Sequence, residues 1–178
     1  MNCTEIITES ISALTTIGAV YMAYRFAIGQ MRKESIENLE RSKYNAVLQA
    51  HQSIYRLLKY TTDTENEDSI LRWEAVKGNK SEKTYYFRKE KIKLFLRELT
   101  HEFYEKGNGL YLSKEVNELL FNYRGIVFGL LLASKGETED AVKINKEETA
   151  KAMIRIHQEL SIQIRKDIQQ KKRNLRFD

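Results

Sequence analysis

Hydrophobic residues recur every three or four positions along most of this chain, which is the spacing of one face of an α-helix. Val and Ile seldom alternate with polar residues over a run, so strand signals are nearly absent. The pattern predicts an all-α fold with helices over residues 5–60, 70–76, 84–106, 114–134 and 143–175. Gly107-Asn108-Gly109 is the clearest helix stop, and Ser113 has the chemistry of an N-cap for the helix that follows.

The first predicted helix begins with an apolar segment in which residues 10–24 carry no charge. Residues 6–31 can cross a hydrocarbon core of about 30 Å, provided that Arg25 extends its guanidinium to the interface. We therefore predict a transmembrane anchor over residues 1–33, continuing into a cytosolic helical bundle over residues 34–178. The alternative is an amphipathic helix of a soluble core, because the uncharged run is short and rich in hydroxyl groups.

The charges that flank this segment predict its orientation. Acidic residues precede it and basic residues follow it, namely Glu5 and Glu9 before and Arg25, Arg32 and Lys33 after. Because basic residues stay on the cytoplasmic side, the N-terminus is expected outside and the C-terminal domain in the cytoplasm. The predicted location is the bacterial inner membrane, crossed once.

Small, hydroxyl and acidic residues share one side of this helix at 100° per residue. Small residues allow helices to approach closely, and carboxylates are costly against lipid, so the stripe predicts self-association around a wet lumen. The alternative is a helix–helix contact without conduction. The residues predicted to line a pore are Glu5, Glu9, Ser12, Thr16, Ala19 and Ala23.

The residues that carry catalysis in enzymes are scarce here. The single cysteine excludes an internal disulfide, and the three histidines, His51, His101 and His157, fall on three predicted helices without a partner motif. The sequence contains no Gly-rich phosphate loop and no nucleophile elbow. We therefore expect no enzyme activity, no metal site and no cofactor.

Basic residues gather in two stretches of a chain whose formal net charge is +5. Residues 80–93 contain six basic and two acidic residues around Tyr85 and Tyr86, and residues 165–176 contain six basic residues and one acidic residue. Cations can follow phosphates while aromatic rings stack on bases, which is how single-stranded nucleic acids are bound. The alternatives are tyrosines that only pack and a basic helix end favoured by the helix dipole. The predicted ligand-binding residues are Lys80, Lys83, Tyr85, Tyr86, Arg88, Lys89 and Lys91.

The chain resembles the membrane effectors of bacterial anti-phage systems in its architecture. The features that carry the resemblance are the span over residues 6–31 and the patch Tyr85-Tyr86-Phe87-Arg88-Lys89. The chain is similar in size and plan to the channel subunit of the Hailong system. That resemblance implies a homo-oligomeric, cone-shaped helical channel. It also implies a gate held shut by an oligodeoxyadenylate strand, which a partner nucleotidyltransferase makes.

Two functional hypotheses follow from these patterns. The first is a homo-oligomeric membrane effector, a channel or membrane disruptor whose cytosolic bundle senses an anionic nucleotide or single-stranded DNA. The second is a membrane-tethered helical scaffold that docks a soluble partner and does not conduct. Membrane lipids and other copies of this chain are expected partners in the first case.

Overall fold

The computed structural model of the chain describes residues 3–62, 66–76 and 79–174, with side chains for residues 15–62, 66–75 and 83–170. It divides into two compact units, Met1–Lys43 (unit 1) and Tyr44–Asp178 (unit 2). Helix α1, Cys3–Thr61, belongs to both units and matches the predicted first helix within two residues at each end. The other described elements belong to unit 2.

Unit 2 is mainly helical, as predicted. Its remaining helices are α2 (Lys89–Thr100), α3 (Lys114–Ala133) and α4 (Glu147–Asn174). A π-helical segment, His101–Glu105, continues α2, and a 3-10 helix, Asn108–Tyr111, precedes α3. The Ser113 hydroxyl accepts a hydrogen bond from the Val116 amide at 3.2 Å and caps α3, as predicted.

The prediction of an all-α fold is wrong in one region, where the chain forms a three-stranded antiparallel sheet. Its strands are β1 (Leu71–Val76), β2 (Asn79–Arg88) and β3 (Ala141–Lys143), in the order β1-β2-β3. The segment predicted as a helix over residues 70–76 is β1, and the helix predicted from residue 84 begins only at Lys89. Aromatic and β-branched residues at 84–87 favour a strand, and pairing with β1 satisfies their backbone groups.

Glycine is required at two positions of the turn between the π-helical segment and α3. Gly107 has φ of +69°, in the left-handed region that side chains with a Cβ rarely adopt. A Cβ at Gly109 would lie 2.5 Å from the Phe103 ring. These two constraints end the preceding helix at the predicted place.

The core of unit 2 joins the C-terminal part of α1 to the other three helices and to one face of the sheet. Phe95 of α2 lies between Tyr60 of α1 and Tyr123 of α3, with edge-to-face ring centroids 6.0 and 5.5 Å away. Helix α4 buries Ala150, Met153, Leu160 and Ile164 fully, and its residues Ile154, His157 and Ile168 are half-buried. Helix α3 buries Val116, Leu120, Tyr123 and Val127.

Candidate functional site

Unit 1 carries an exposed apolar segment, which we define as residues 15–31 of α1. Seven large hydrophobic side chains in it are 61–71% exposed, namely Ile17, Val20, Tyr21, Met22, Tyr24, Phe26 and Met31. At 100° per residue they cover roughly two thirds of the helix circumference, and the smaller side chains of Thr16, Ala19 and Ala23 occupy the remaining sector. A helix that is apolar all round is buried in its working environment, in protein or in lipid.

The residues predicted to line a pore fall in this helix. Thr16, Ala19 and Ala23 are exposed on α1. The side chains of Glu5, Glu9 and Ser12 lie outside the described residues, although the α1 backbone includes them. A pore requires several copies of the helix around one axis, so the assignment of these residues to a pore stays a prediction.

Within the described part of the chain, one helix is long and apolar enough to cross a membrane. This helix is α3, with a mean hydropathy of 1.2 in its most apolar window, of which 22% is buried. Four of its residues belong to the core of unit 2, and core helices of soluble domains satisfy the same measure of length and composition. The predicted span over residues 6–31 includes residues 6–14, whose side chains lie outside the described part.

The predicted basic and aromatic patch does not form one surface. The Lys83 ammonium lies 3.9 Å from the centroid of the Trp73 ring, and the Lys91 ammonium pairs with Asp68 at 3.2 Å. Lys89 donates to the Glu137 carbonyl at 2.7 Å. Each of these cations therefore has a partner within the chain.

The other members of the predicted patch also lie apart and make different contacts. The Arg88 guanidinium donates to the backbone carbonyls of Asn66 and Ser69 and so holds the loop before β1. Burial lowers the pKa of Arg88, and the nearby Arg72 charge lowers it further. Tyr85 is half-buried against the core, and the side chain of Lys80 lies outside the described residues.

Pairing of the strands assembles a different basic and aromatic group, which we call the outer sheet row: Arg72, Tyr86 and Lys143. Arg72 lies opposite Tyr86 across β1 and β2, and Tyr86 lies opposite Lys143 across β2 and β3. Directly paired residues of an antiparallel sheet project on the same face, about 4.5–5.5 Å apart at their Cβ atoms. This face is opposite the one that buries Leu71 and Phe87.

The two cations of the outer sheet row are exposed, while Tyr86 between them is half-buried. In the described part of the chain, neither Arg72 nor Lys143 has an ion pair with an acidic side chain. The strand register therefore places Tyr86 between one exposed arginine and one exposed lysine on the same face of the sheet.

A cleft of about 510 Å³ adjoins the outer sheet row in unit 2. Apolar side chains of the sheet and of α3, including Phe87, Leu130 and Val142, line part of it. Its polar lining comes from Tyr86, Lys143, Ser134, Asn145, Lys146 and Thr149, together with the acidic residues Glu137 and Glu139. This volume lies in the range of small-molecule sites.

Sequence reasoning identified Tyr86 and missed Arg72, Lys143 and Lys146. These residues lie far apart in the sequence and meet only because β1 and β3 both pair with β2. The sequence does contain a signal for strand β1, namely the alternation of apolar and charged residues over Leu71-Arg72-Trp73-Glu74-Ala75. Such alternation is typical of a half-buried strand.

The three histidines make separate contacts in the described part of the chain. Among the described residues, no cluster of three or more His, Cys, Asp or Glu side chains could hold a metal ion. His51 pairs with Asp167 at 3.2 Å in the interior, and Thr61 contacts His157 at 2.6 Å. His101 pairs with Glu105 at 2.6 Å on an exposed helix face. These partners are structural contacts between or within helices.

No known family model matches this sequence, and no curated protein is significantly similar to it. Its function must be inferred from the exposed apolar segment, the outer sheet row and the cleft.

Proposed function

We propose that this chain is a homo-oligomeric transmembrane effector of bacterial anti-phage defence, an ion channel or membrane-disrupting protein. The observation that carries the proposal is the exposed apolar segment of α1. Covering one large hydrophobic side chain is worth about 1.5–3 kcal/mol. Leaving seven in water would cost on the order of 10 kcal/mol, so lipid or other copies of the chain must cover them.

Charge supports a membrane as the environment of this segment. Arg32 and Lys33 follow it in the sequence, and Arg25 lies within it, where a long side chain can reach the interface. Basic residues remain on the cytoplasmic side, which leaves unit 2 in the cytoplasm and the N-terminus outside. The stripe of small residues then favours contacts between copies within the membrane.

The outer sheet row and its cleft are the part of unit 2 best suited to sense an anionic ligand. Arg72 and Lys143 would hold phosphates, and Tyr86 between them would stack on a base. A nucleotide or a short single-stranded DNA has both groups. An oligodeoxyadenylate made by a partner nucleotidyltransferase is the ligand that the resemblance to the Hailong channel suggests.

A second candidate function is a membrane-tethered scaffold that docks a soluble partner and conducts nothing. Exposed hydrophobic side chains around the 3-10 helix favour it, because Leu110 is 86% exposed and Tyr104 is 64% exposed. Exposed apolar clusters of this kind mark protein-binding surfaces.

Reconstitution of the full chain into liposomes distinguishes these functions. We expect the protein to float with the vesicles in a density gradient. We also expect a potassium-sensitive dye trapped inside the vesicles to report ion flux across the membrane. Flotation without ion flux would support the scaffold, whereas a protein that stays at the bottom of the gradient would contradict both functions.

Ligand sensing is tested by titrating a short oligodeoxyadenylate onto the detergent-solubilised full chain at several salt concentrations. The slope of log affinity against log salt should be about −0.7 per phosphate neutralised. Replacing Arg72 and Lys143 with Gln should flatten this slope, and Tyr86→Ala should cost about 1–3 kcal/mol with an unchanged slope.

The matched control for this titration replaces two exposed cations far from the cleft, Arg56 and Lys114, with Gln. It should leave the affinity and slope close to those of the unmodified chain. Equal loss in the control and in the Arg72 and Lys143 variant would show that general charge, and not the outer sheet row, attracts the ligand.

A further inference from the structure

Helix α3 joins the core of unit 2 along one side and leaves the opposite side without cover. At 100° per residue, six positions of the uncovered side fall within a sector of about 100°. We call this sector the exposed α3 face, and it consists of Glu118, Phe121, Gly125, Phe128, Gly129 and Leu132. The buried residues of the helix lie on its other side.

The apolar part of the exposed α3 face is open to solvent in the single chain. Phe128 is 47% exposed, and Leu132, one turn later, is 45% exposed. Phe121 is half-buried, and its ring lies edge-to-face against the Phe103 ring with 5.1 Å between centroids. Because these side chains follow one another along a single helix face, they form a continuous apolar surface of the kind that another molecule covers.

Two glycines leave a groove within this surface, which we call the glycine groove. Gly125 and Gly129 are one turn apart, and nothing lies within 4 Å of the place that a Cβ would take at either position. Both have a negative φ, so the backbone of the single chain does not require glycine there. Glycine inside a helix is destabilising relative to alanine. Small residues one turn apart do, however, allow a second helix to approach the backbone closely.

The shape of the exposed α3 face is complementary to a second copy of itself when the two helices run antiparallel. A two-fold axis that passes between residues 126 and 127 brings Phe128 of each copy over Gly125 of the other. The same axis brings Phe121 of each copy opposite Leu132 of the other. Each large side chain therefore meets either a glycine or an apolar side chain.

Charge favours the same antiparallel arrangement. It places Glu118 of each copy opposite Lys135 of the other, and both residues are exposed. In the described part of the chain, Lys135 has no ion pair, and Glu118 pairs only with Lys114 of its own helix at 3.7 Å. A parallel pair would instead bring the two Glu118 carboxylates together, where like charges repel.

We propose that the exposed α3 face binds the same face of a second copy of this chain as an antiparallel helix pair. All its residues belong to unit 2, so the inference does not depend on how α1 crosses a membrane. It rests on the proposed function in one respect, because it names a contact of the proposed homo-oligomer. A self-complementary contact of this kind is isologous and joins copies in pairs.

The test uses two cysteines that only a second copy can bring together, Glu118→Cys and Lys135→Cys in the full chain with Cys3→Ser. Within one chain the two positions are about 25 Å apart at 1.5 Å per residue, too far for a short bismaleimide to bridge. We expect the double-cysteine chain in detergent to give a covalent dimer on a denaturing gel. Either cysteine alone should give almost none, because antiparallel packing holds identical positions equally far apart. A dimer from the single cysteines would indicate parallel packing and overturn the proposal.

The decisive variant closes the glycine groove in the double-cysteine chain. Gly125→Leu with Gly129→Leu should abolish the covalent dimer, while the open space at both positions preserves the fold, as circular dichroism and melting curves can check. Phe128→Ser, which removes the side chain that the groove receives, should have the same effect. Gln158→Leu adds bulk at an exposed position of α4 and should leave the dimer unchanged. A covalent dimer that survives both the glycine changes and Phe128→Ser would overturn the proposal.

Further outcomes separate this inference from the proposed function and from another occupant of the face. If the chain forms the covalent dimer but does not float with vesicles, the membrane span is wrong and the α3 contact stands. If it floats and conducts without forming the dimer, only the α3 contact is wrong. Lipid is the alternative occupant, because α3 is apolar enough to cross a membrane. Quenching of a dye at Leu132→Cys by brominated lipid, with no covalent dimer, would assign the face to lipid and overturn the proposal.

Discussion

His51 is a buried polar residue of unit 2, and only 1% of its surface is exposed. Its Nδ1 lies 2.8 Å from the Val47 carbonyl, which can only accept, so Nδ1 carries a proton and donates it. Its Nε2 faces the Asp167 carboxylate at 3.2 Å. This buried pair joins α1 to α4.

Removing one partner of this pair should destabilise the protein strongly. Either His51→Leu or Asp167→Leu leaves a buried polar group without its partner, which costs about 3–5 kcal/mol. The double change to Leu should be much less harmful than the sum of the single changes, because neither buried polar group of the pair then remains. Thermal melting of the detergent-solubilised chain measures this, and strictly additive losses would contradict a coupled pair.

The carboxylate of Asp68, which pairs with two lysines, leads to a prediction about the stability of the protein at low pH. The Lys91 ammonium, which donates to it, and Lys59, which lies 3.4 Å away, hold the pKa of this carboxyl below its usual value of 3.8. A carboxyl group whose pKa is lower in the folded than in the unfolded state stabilises the protein at pH values above the unfolded-state pKa. That contribution is lost as the pH falls through the folded-state pKa.

Asp68→Asn should therefore lower the melting temperature at neutral pH and have no effect once the pH is well below 3.8. Because the carboxylate is 38% exposed, solvent screening limits the effect to less than about 1 kcal/mol. Glu139→Gln, a change to an exposed acid, is the control and should alter the melting temperature little at any pH. A destabilisation by Asp68→Asn that persists at low pH would point to lost packing instead of lost charge.

At the scale of elements, substitutions in α1 test whether one face of this helix mediates assembly. Ala19→Leu or Ala23→Leu adds bulk to the small-residue stripe and should disrupt self-association in detergent, measured by light scattering, together with ion flux. Gly18→Leu adds similar bulk on the opposite side of the helix, where nothing lies within 4 Å of its position in the single chain. If Gly18→Leu is as harmful as the alanine changes, the helix has no dedicated packing face.

The sheet is the element whose role differs most from its sequence prediction. As a helix, residues 84–88 would have spread Tyr85, Tyr86 and Arg88 around one cylinder. As strand β2, the same residues alternate between two faces, so Tyr85 packs on the core and Tyr86 joins Arg72 and Lys143. The candidate ligand site therefore depends on which element the segment adopts.

For the whole molecule, the proposed topology predicts which parts are accessible from each side of the membrane. A reporter fused after Asp178 should be active in the cytoplasm, and Cys3 should react with an impermeant thiol reagent added outside intact cells. Deletion of residues 1–33 should leave a helical protein that needs no detergent, since the described core lies within unit 2. A truncated chain without helical structure, or a full chain soluble without detergent, would contradict the anchor.

Local patterns in the sequence determined the helices of this protein. The helix over residues 5–60, the Ser113 cap and the stop at Gly107 each depend on neighbouring residues, because periodicity, capping and left-handed glycine act within a few positions. The apolar run and its flanking charges also lie within one segment, so a membrane anchor could be predicted from sequence alone.

The tertiary structure alone decided which distant residues meet. The backbone groups of each strand are satisfied by pairing with a neighbouring strand, so the sheet forms only when segments distant in the sequence meet. Arg72, Tyr86 and Lys143 come together through that pairing, and His51 meets Asp167 only because α1 and α4 pack antiparallel. In the sequence, the negative charge of Asp167 offsets part of the positive charge of residues 165–176. In the folded chain Asp167 is buried, whereas its neighbours Arg165 and Lys166 are exposed. Sequence determines where the charges lie along the chain, and burial against distant segments determines which of them a partner can reach.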